Sequence, residues 1–212
     1  MDVKLISWPS LGAEKLCGMA AAECYQGKNF DKSLDVALGG GHLSIAEHAT
    51  FTFHITDVSR VLLAQLTRHR IASFSVQSQR YCGVTNQCVI PDTVNDHDYG
   101  RQFSAVFDAA YELYSEMVAN GVPDEDARYI VPQGTTCRLM MTMNIRELRH
   151  FFSLRTCNRA QWEIRDLADE MLKQCKKVAP RLFEGAGCGC VNGHCPEGGK
   201  SCGHPRKESE WE

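Results

Sequence analysis

A chain of 212 residues is long enough for one substantial domain with its own core and short for two. Its 43% hydrophobic and 23% charged residues and its formal net charge of −3 exclude a generally basic, nucleic-acid-coating protein, although not a local basic site. No apolar run reaches the ~18–20 residues of a membrane span. The opening Met1–Pro9 stretch carries Asp2 and meets proline too soon for a signal peptide. A cytoplasmic protein is therefore expected, with neither membrane nor nucleic acid as a partner.

Residues 3–7 predict a short strand, and the Ala-rich stretch Leu11–Tyr25 a helix stopped by Gly27. A second helix is expected over Asp31–Leu38, broken by Gly39, Gly40 and Gly41. Between Ala49 and Thr56, Phe51, Phe53 and Ile55 alternate with Thr50, Thr52, His54 and Thr56, the pattern of a half-buried strand. Asp57 is placed to cap a helix over 58–68, and 71–81 returns to extended chain. After a polar loop come a long helix over 100–119, ended by Gly121 and Pro123, and one or two helical turns over 124–131. A strand over Thr135–Met143, a helix over 145–157 capped by Asn144 and a last helix over Ala160–Phe183 complete the order. Strands and helices alternate without a regular βαβ rhythm, which predicts an α+β (mixed α/β) domain with helices flanking a small sheet.

The acids are unevenly spread. None lies between Asp57 and Asp92, a window that holds Arg60, Arg68, His69, Arg70 and Arg80. From Arg128 to Arg159 the only acid is Glu147, among Arg138, Arg146, Arg149, His150 and Arg155. Neither window contains Lys, and Arg rather than Lys is the residue whose flat fork binds phosphate or an amide edge through paired hydrogen bonds. Arg60 and Arg159 are expected to be solvated helix faces. On a helix running to 68, Gln65 shares a face with Arg68 and His69. Arg70, Ser73, Ser75, Gln77, Ser78, Gln79, Arg80 and Tyr81 follow, so 68–81 forms a dense reader of anions and heterocycles. Arg146 and His150 form an i,i+4 pair on a helix whose N-terminus also suits an anion.

These residues resemble the flavin-dependent thymidylate synthases. Arg68-His69-Arg70, seven residues and then Ser78 is similar to the family's RHR-x7-S signature. In family order, His42–Phe53 precedes it, and Ala127-Arg128, Asn144-Ile145-Arg146, Leu154-Arg155 and Ala160–Ile164 follow. The resemblance covers roughly residues 1–184. It implies that dUMP becomes dTMP with 5,10-methylenetetrahydrofolate as carbon donor and NADPH as reductant through bound FAD. It also implies a homotetramer with active sites shared between subunits. Position by position it assigns Ser44, Arg68, His69, Arg70, Val76, Asn144, Ile145, Arg146 and His150 to the flavin. It assigns Gln65, Leu66, Thr67, Arg68, Val76, Gln77, Ser78, Gln79, Arg80, Arg128 and Arg155 to dUMP. Catalytic roles fall to Arg155, set against the uracil ring, and to Ser78 as a polarising contact rather than a nucleophile. Where the family commonly has Asn-Glu this chain has Ser75-Val76, which leaves Val76 only its backbone to offer. Hydride delivery to C6 makes a cysteine nucleophile unnecessary, so Cys82 is expected to be a small packed residue.

Eleven cysteines, an odd number, argue against a disulfide scaffold. Most of Cys17, Cys24, Cys82, Cys88, Cys137, Cys157 and Cys175 are expected to be small buried hydrophobes. A Gly/Cys/His-rich tail over 185–212 follows the 1–184 domain. Its Cys188, Cys190, Cys195 and Cys202, with His194 and His204 among them, are candidate zinc ligands, although the spacing does not match paired C-x2-C knuckles. No metal is expected in the core. Two other readings stay open: a different flavin- and folate-dependent one-carbon transfer to a nucleotide, such as hydroxymethylation, and a non-catalytic nucleotide- or RNA-binding module with a zinc-clipped tail.

Overall fold

Alternating burial builds the sheet. In the computed structural model, which describes residues 1–193 and 195–212, strands β1 (Asp2–Ser7), β2 (Thr50–Ser59), β3 (Ala72–Val76) and β4 (Thr136–Asn144) form one antiparallel sheet in the order β1-β2-β4-β3. Phe51, Phe53 and Ile55 of β2 and Met141 and Met143 of β4 are fully buried or nearly so, as the period of two requires. Thr52 and Thr142 on the other face share a hydroxyl hydrogen bond of 2.9 Å.

The helices are α1 (Ala13–Tyr25), α2 (Phe30–Gly39), α3 (Arg60–Leu66), α4 (Asp92–Asp96), α5 (Gly100–Ala119), α6 (Asp124–Ala127), α7 (Ile145–Arg155) and α8 (Trp162–Val178). The architecture is thus α+β, as expected. Among the described residues no helix is long and apolar enough to cross a membrane.

Two compact units divide the chain. The first comprises Met1–Asp2, Ile55–Arg68 and Ser75–Leu139; the second comprises Val3–His54, His69–Phe74 and Met140–Glu212. In the first, the core includes Val58, Leu62, Leu66, Phe107 and Leu139, and Phe103 stacks on Phe107 at 5.7 Å. The Tyr114 hydroxyl of α5 donates to Asp124 at the start of α6 at 2.6 Å. In the second, an aromatic chain runs from Phe51 to Phe183 (5.8 Å), to Phe152 (5.9 Å) and to Phe151 (5.6 Å). The amphipathic α8 buries Ile164, Leu167, Met171, Leu172 and Cys175.

Several sequence expectations need correction. β2 runs on to Ser59, and the cap of α3 is Ser59, whose Oγ accepts from Leu62 N at 3.0 Å. Asp57, with φ of 58°, is a left-handed residue inside the strand. α3 ends at Leu66, so His69 lies beyond it and is buried while Arg68 is exposed: the two do not share a helix face. α8 stops at Val178 because Pro180 cannot continue it, and Arg181–Phe183 is a separate 3-10 turn. Of the seven scattered cysteines only Cys17, Cys137 and Cys175 are buried, and Cys82 is exposed rather than packed. Arg60 is not a solvated helix face: its Nη1 is buried and has no hydrogen-bond partner among the described residues.

Candidate active site

α7 begins where β4 runs out. Asn144 Oδ1 accepts from Glu147 N at 2.8 Å and caps it, while Ile145 N donates to Ala49 O at 3.0 Å. Two donors of the first turn are thereby taken, fewer being left for an anion than the sequence suggested. Capping at Asn144 sets the rotation of α7 so that Glu147 and Phe151 turn inward while Arg146 and His150 stay exposed.

Glu147, His69 and Arg155 then form a chain in the second unit. His69 Nδ1 lies 3.3 Å from Glu147 Oε1, and His69 Nε2 accepts from Arg155 Nε at 3.1 Å. An acceptor at Nε2 and a carboxylate at Nδ1 define a neutral ring protonated on Nδ1. Burial, foremost, pulls the His69 pKa below 6.5; the Glu147 hydrogen bond opposes this, and the nearby positive charge of Arg155 reinforces it. Phe151 meets the imidazole edge-on at 5.0 Å and His150 at 6.1 Å. Burial also lowers the pKa of the Arg155 guanidinium.

The donor atoms of His69, Glu147 and His150 lie within 4.8 Å of one another, a set of types that could hold a divalent metal. Here the guanidinium of Arg155 sits on Nε2 and the Nδ1 proton faces Glu147, so both nitrogens of His69 are already engaged. The triad is better matched to orienting a cation than to binding one.

Around this chain, the second unit places Ser44 in the 3-10 turn Leu43–His48 and Arg70 beyond His69, both exposed. Arg146 pairs with Glu47. The side chain of Ile145 is fully buried, so only its backbone can meet a ligand.

The first unit gathers a separate set. Arg80 donates from Nε to Glu125 Oε2 at 2.8 Å and lies 5.3 Å over the ring of Tyr81. Arg128 Nε donates to the backbone carbonyl of Glu125 at 3.1 Å, so Glu125 meets Arg80 through its carboxylate and Arg128 through its main chain. Ser78 Oγ accepts from Arg80 N at 3.2 Å in the turn after β3, and Gln77 N donates to Arg138 O at 3.0 Å. Gln79 and Val76 are half-buried there. Near the end of α3, Gln65 is half-buried, Leu66 is fully buried, and Thr67 is exposed with its hydroxyl on Leu63 O at 3.0 Å.

Three acids that meet candidate site residues, Glu47, Glu125 and Glu147, were not singled out by sequence. Glu147 had a signal, as the lone acid of its arginine window, three residues after a capping Asn and three before His150. Glu125 lies three before Arg128 on a helical turn. Glu47 offered none, since its partner is 99 residues away.

Residues 4–181 match the family model described as thymidylate synthase complementing protein. The chain is 45% identical over 206 residues to the flavin-dependent thymidylate synthase of Geobacter sulfurreducens, covering 90% of this chain and 89% of the other. With the flavin-dependent thymidylate synthase of Clostridium tetani it shares 39% identity over 233 residues, covering 96% and 93%. Among solved structures it resembles the UMP/dUMP methylase PolB of Streptomyces cacaoi bound with 5-Br dUMP, at a TM-score of 0.76 and 25% identity, over 86% of this chain and 93% of that one.

Proposed function

Because this chain belongs to the flavin-dependent thymidylate synthases, we propose that it converts dUMP to dTMP, with FAD as bound flavin, NADPH as reductant and 5,10-methylenetetrahydrofolate as carbon donor. The Glu147–His69–Arg155 chain carries the reading, because the buried Glu147 and His69 hold the half-buried guanidinium of Arg155 in place on an otherwise acid-poor helix.

The donors suit the ligands. FAD would be held by Ser44, Arg70, Arg146 and His150 of the second unit, with Asn144 and Ile145 beside them, and these arginines, the His150 imidazole and the hydroxyl match a diphosphate; His69, assigned to the flavin by resemblance, is 5% exposed with both nitrogens engaged and acts instead through Arg155. The Arg146–Glu47 pair is 56% and 48% exposed, and a surface pair of this kind is worth about 0–1 kcal/mol, so a diphosphate displaces it readily. The same holds for Arg80–Glu125, at 49% and 48%, when Arg80 takes the dUMP phosphate alongside Gln65, Leu66, Thr67, Val76, Gln77, Ser78, Gln79 and Arg128. Arg68 serves both ligands by resemblance.

When bound, FAD supplies the hydride that reaches uracil C6. The protein's part is to hold the charge that this displaces. As C6 is reduced, negative charge builds on the uracil carbonyls and N3 and makes C5 nucleophilic toward the folate methylene. Arg155, partly desolvated and fixed in plane by His69, opposes that charge. His69 is a positioning residue, and Glu147 keeps its proton on Nδ1. Ser78 polarises the nucleotide.

We place the enzyme in the cytoplasm as a homotetramer with shared active sites, residues 1–184 forming the catalytic domain and 185–212 an appended tail. Tyr99 just before α5, Val106 and Leu113 on α5, and Tyr129 and Ile130 after α6 are exposed, which suits a subunit contact.

The test is product analysis. Purified protein is yellow, is bleached by NADPH, and releases dTMP from dUMP and methylenetetrahydrofolate. Formation of a 5-hydroxymethyl nucleotide instead would reassign the reaction within flavin enzymes. A colourless protein that binds RNA with a steep salt dependence would overturn catalysis altogether.

A further inference from the structure

The densest cluster of unassigned chemistry lies where the tail meets the end of α7, within the second unit. Strong polar contacts pin the tail there. Arg206 Nη1 donates to both carboxylate oxygens of Asp169 at 2.8 and 2.9 Å and to Thr156 O at 2.9 Å. Trp211 Nε1 donates to Asp169 at 2.8 Å, and its ring lies 4.6 Å from the Arg206 guanidinium. Asn158 Nδ2 donates to His204 O at 2.8 Å and Arg159 Nη1 to Lys200 O at 2.6 Å.

This docking brings three tail thiols to a fourth that belongs to the catalytic domain. Cys157, Cys190, Cys195 and Cys202 together line one narrow cavity of about 30 Å3, with Asn158 and His204 at its edge. That volume admits a single ion or water. All four cysteines are free. Two of the sulfurs also receive backbone N–H groups: Arg206 N points at Cys190 Sγ at 3.3 Å and His204 N at Cys202 Sγ at 3.4 Å. Amide donors aimed at sulfur stabilise a thiolate, the form that ligates metal.

We propose that Cys157, Cys190, Cys195 and Cys202 bind one soft divalent metal ion, zinc by preference, which clamps the tail to the end of α7. The donor set differs from the one read in the sequence. Cys188 is 2% exposed and does not line the cavity; its Sγ lies 3.2 Å from Cys190 Sγ. Cys157 takes its place, although 32 residues lie between it and Cys190. His194 lies outside the described residues. Among the described residues no three of these sulfurs lie within 4.8 Å of one another, so binding draws them in by side-chain rotation. Tetrahedral zinc, with Zn–S of about 2.3 Å, brings its sulfurs to about 3.8 Å apart. The step is an exchange of ions: the metal enters, each ligating thiol releases its proton, and no electron moves. The site is independent of the reaction proposed above.

The experiment uses full-length protein stripped with a chelator and titrated with Co2+ alone. One equivalent per chain should produce the intense sulfur-to-cobalt charge-transfer absorption of a tetrahedral thiolate site, and Zn2+ should abolish it by displacement. Cys157→Ser and Cys202→Ser should each weaken binding by roughly 100-fold, and Cys188→Ser should leave it unchanged. Should a serine variant misfold, alkylation of the wild-type chain decides. Zn2+ should then protect Cys157, Cys190, Cys195 and Cys202, while exposed Cys24 and Cys82 react with or without metal. Absence of the charge-transfer band, protection that spares Cys157, or a Cys188–Cys190 disulfide forming in place of metal uptake would each overturn the proposal.

Discussion

A neutral, buried His69 between Glu147 and Arg155 makes part of the pH response predictable. Its folded pKa is depressed below 6.5, burial being the main cause, so the unfolded chain protonates first. The His69 contribution is therefore intact above pH 6.5 and lost as pH falls through the lower folded value. Denaturant midpoints should hold steady above neutrality and decline below pH 6.5, and His69→Asn should flatten that decline. Arg155→Ala should lower turnover about 10²–10³-fold with flavin content preserved, as expected for a lost donor to developing charge. Arg70→Ala should instead lower flavin content at saturating dUMP. Equal effects of the two substitutions on both measurements would refute this division. The motif arginines were readable because Arg without Lys, in windows nearly free of acid, is unusual in an acidic chain. Their acidic partners were not, because Glu47 meets Arg146 and Glu147 meets His69 only after distant segments fold together.

At the scale of elements, two side-chain caps fix where helices begin. Asn144 caps α7 and Ser59 caps α3. Either residue changed to Ala should cost about 1 kcal/mol in denaturant unfolding. Asp57→Gly should be neutral or slightly stabilising, because Asp57 has φ of 58° and does not cap α3. That contrast checks the shift of the helix start from the position read in sequence. The shift arose because Asp57 and Ser59 are both good caps, and the choice between them rests on how far β2 continues its pairing, a non-local matter. α5, by contrast, was predicted over 100–119 and found over Gly100–Ala119, since Gly121, with φ of 87°, and Pro123 end it locally.

Across the whole molecule, the tail is docked rather than loose. Trp211 is 1% exposed, and Lys176 pairs with Glu208, whose carboxylate also accepts from Gly185 N at 2.8 Å. Trp211→Ala should cost about 3–5 kcal/mol, read as a lower unfolding midpoint, with flavin content unchanged in the folded fraction. Loss of flavin in parallel would tie the tail directly to the active site.

Sequence by itself determined the α+β class, the strand and helix order and the arginine-rich segments, because periodicity, glycine and proline breaks and charge act over a few residues. It also carried the family resemblance, which rests on ordered short motifs. Tertiary structure alone decided which arginine leans on His69, which acids hold Arg80 and Arg146, and that Cys157 joins the tail thiols. Each of these depends on segments far apart in the chain packing at a few ångströms, a distance that no local pattern encodes.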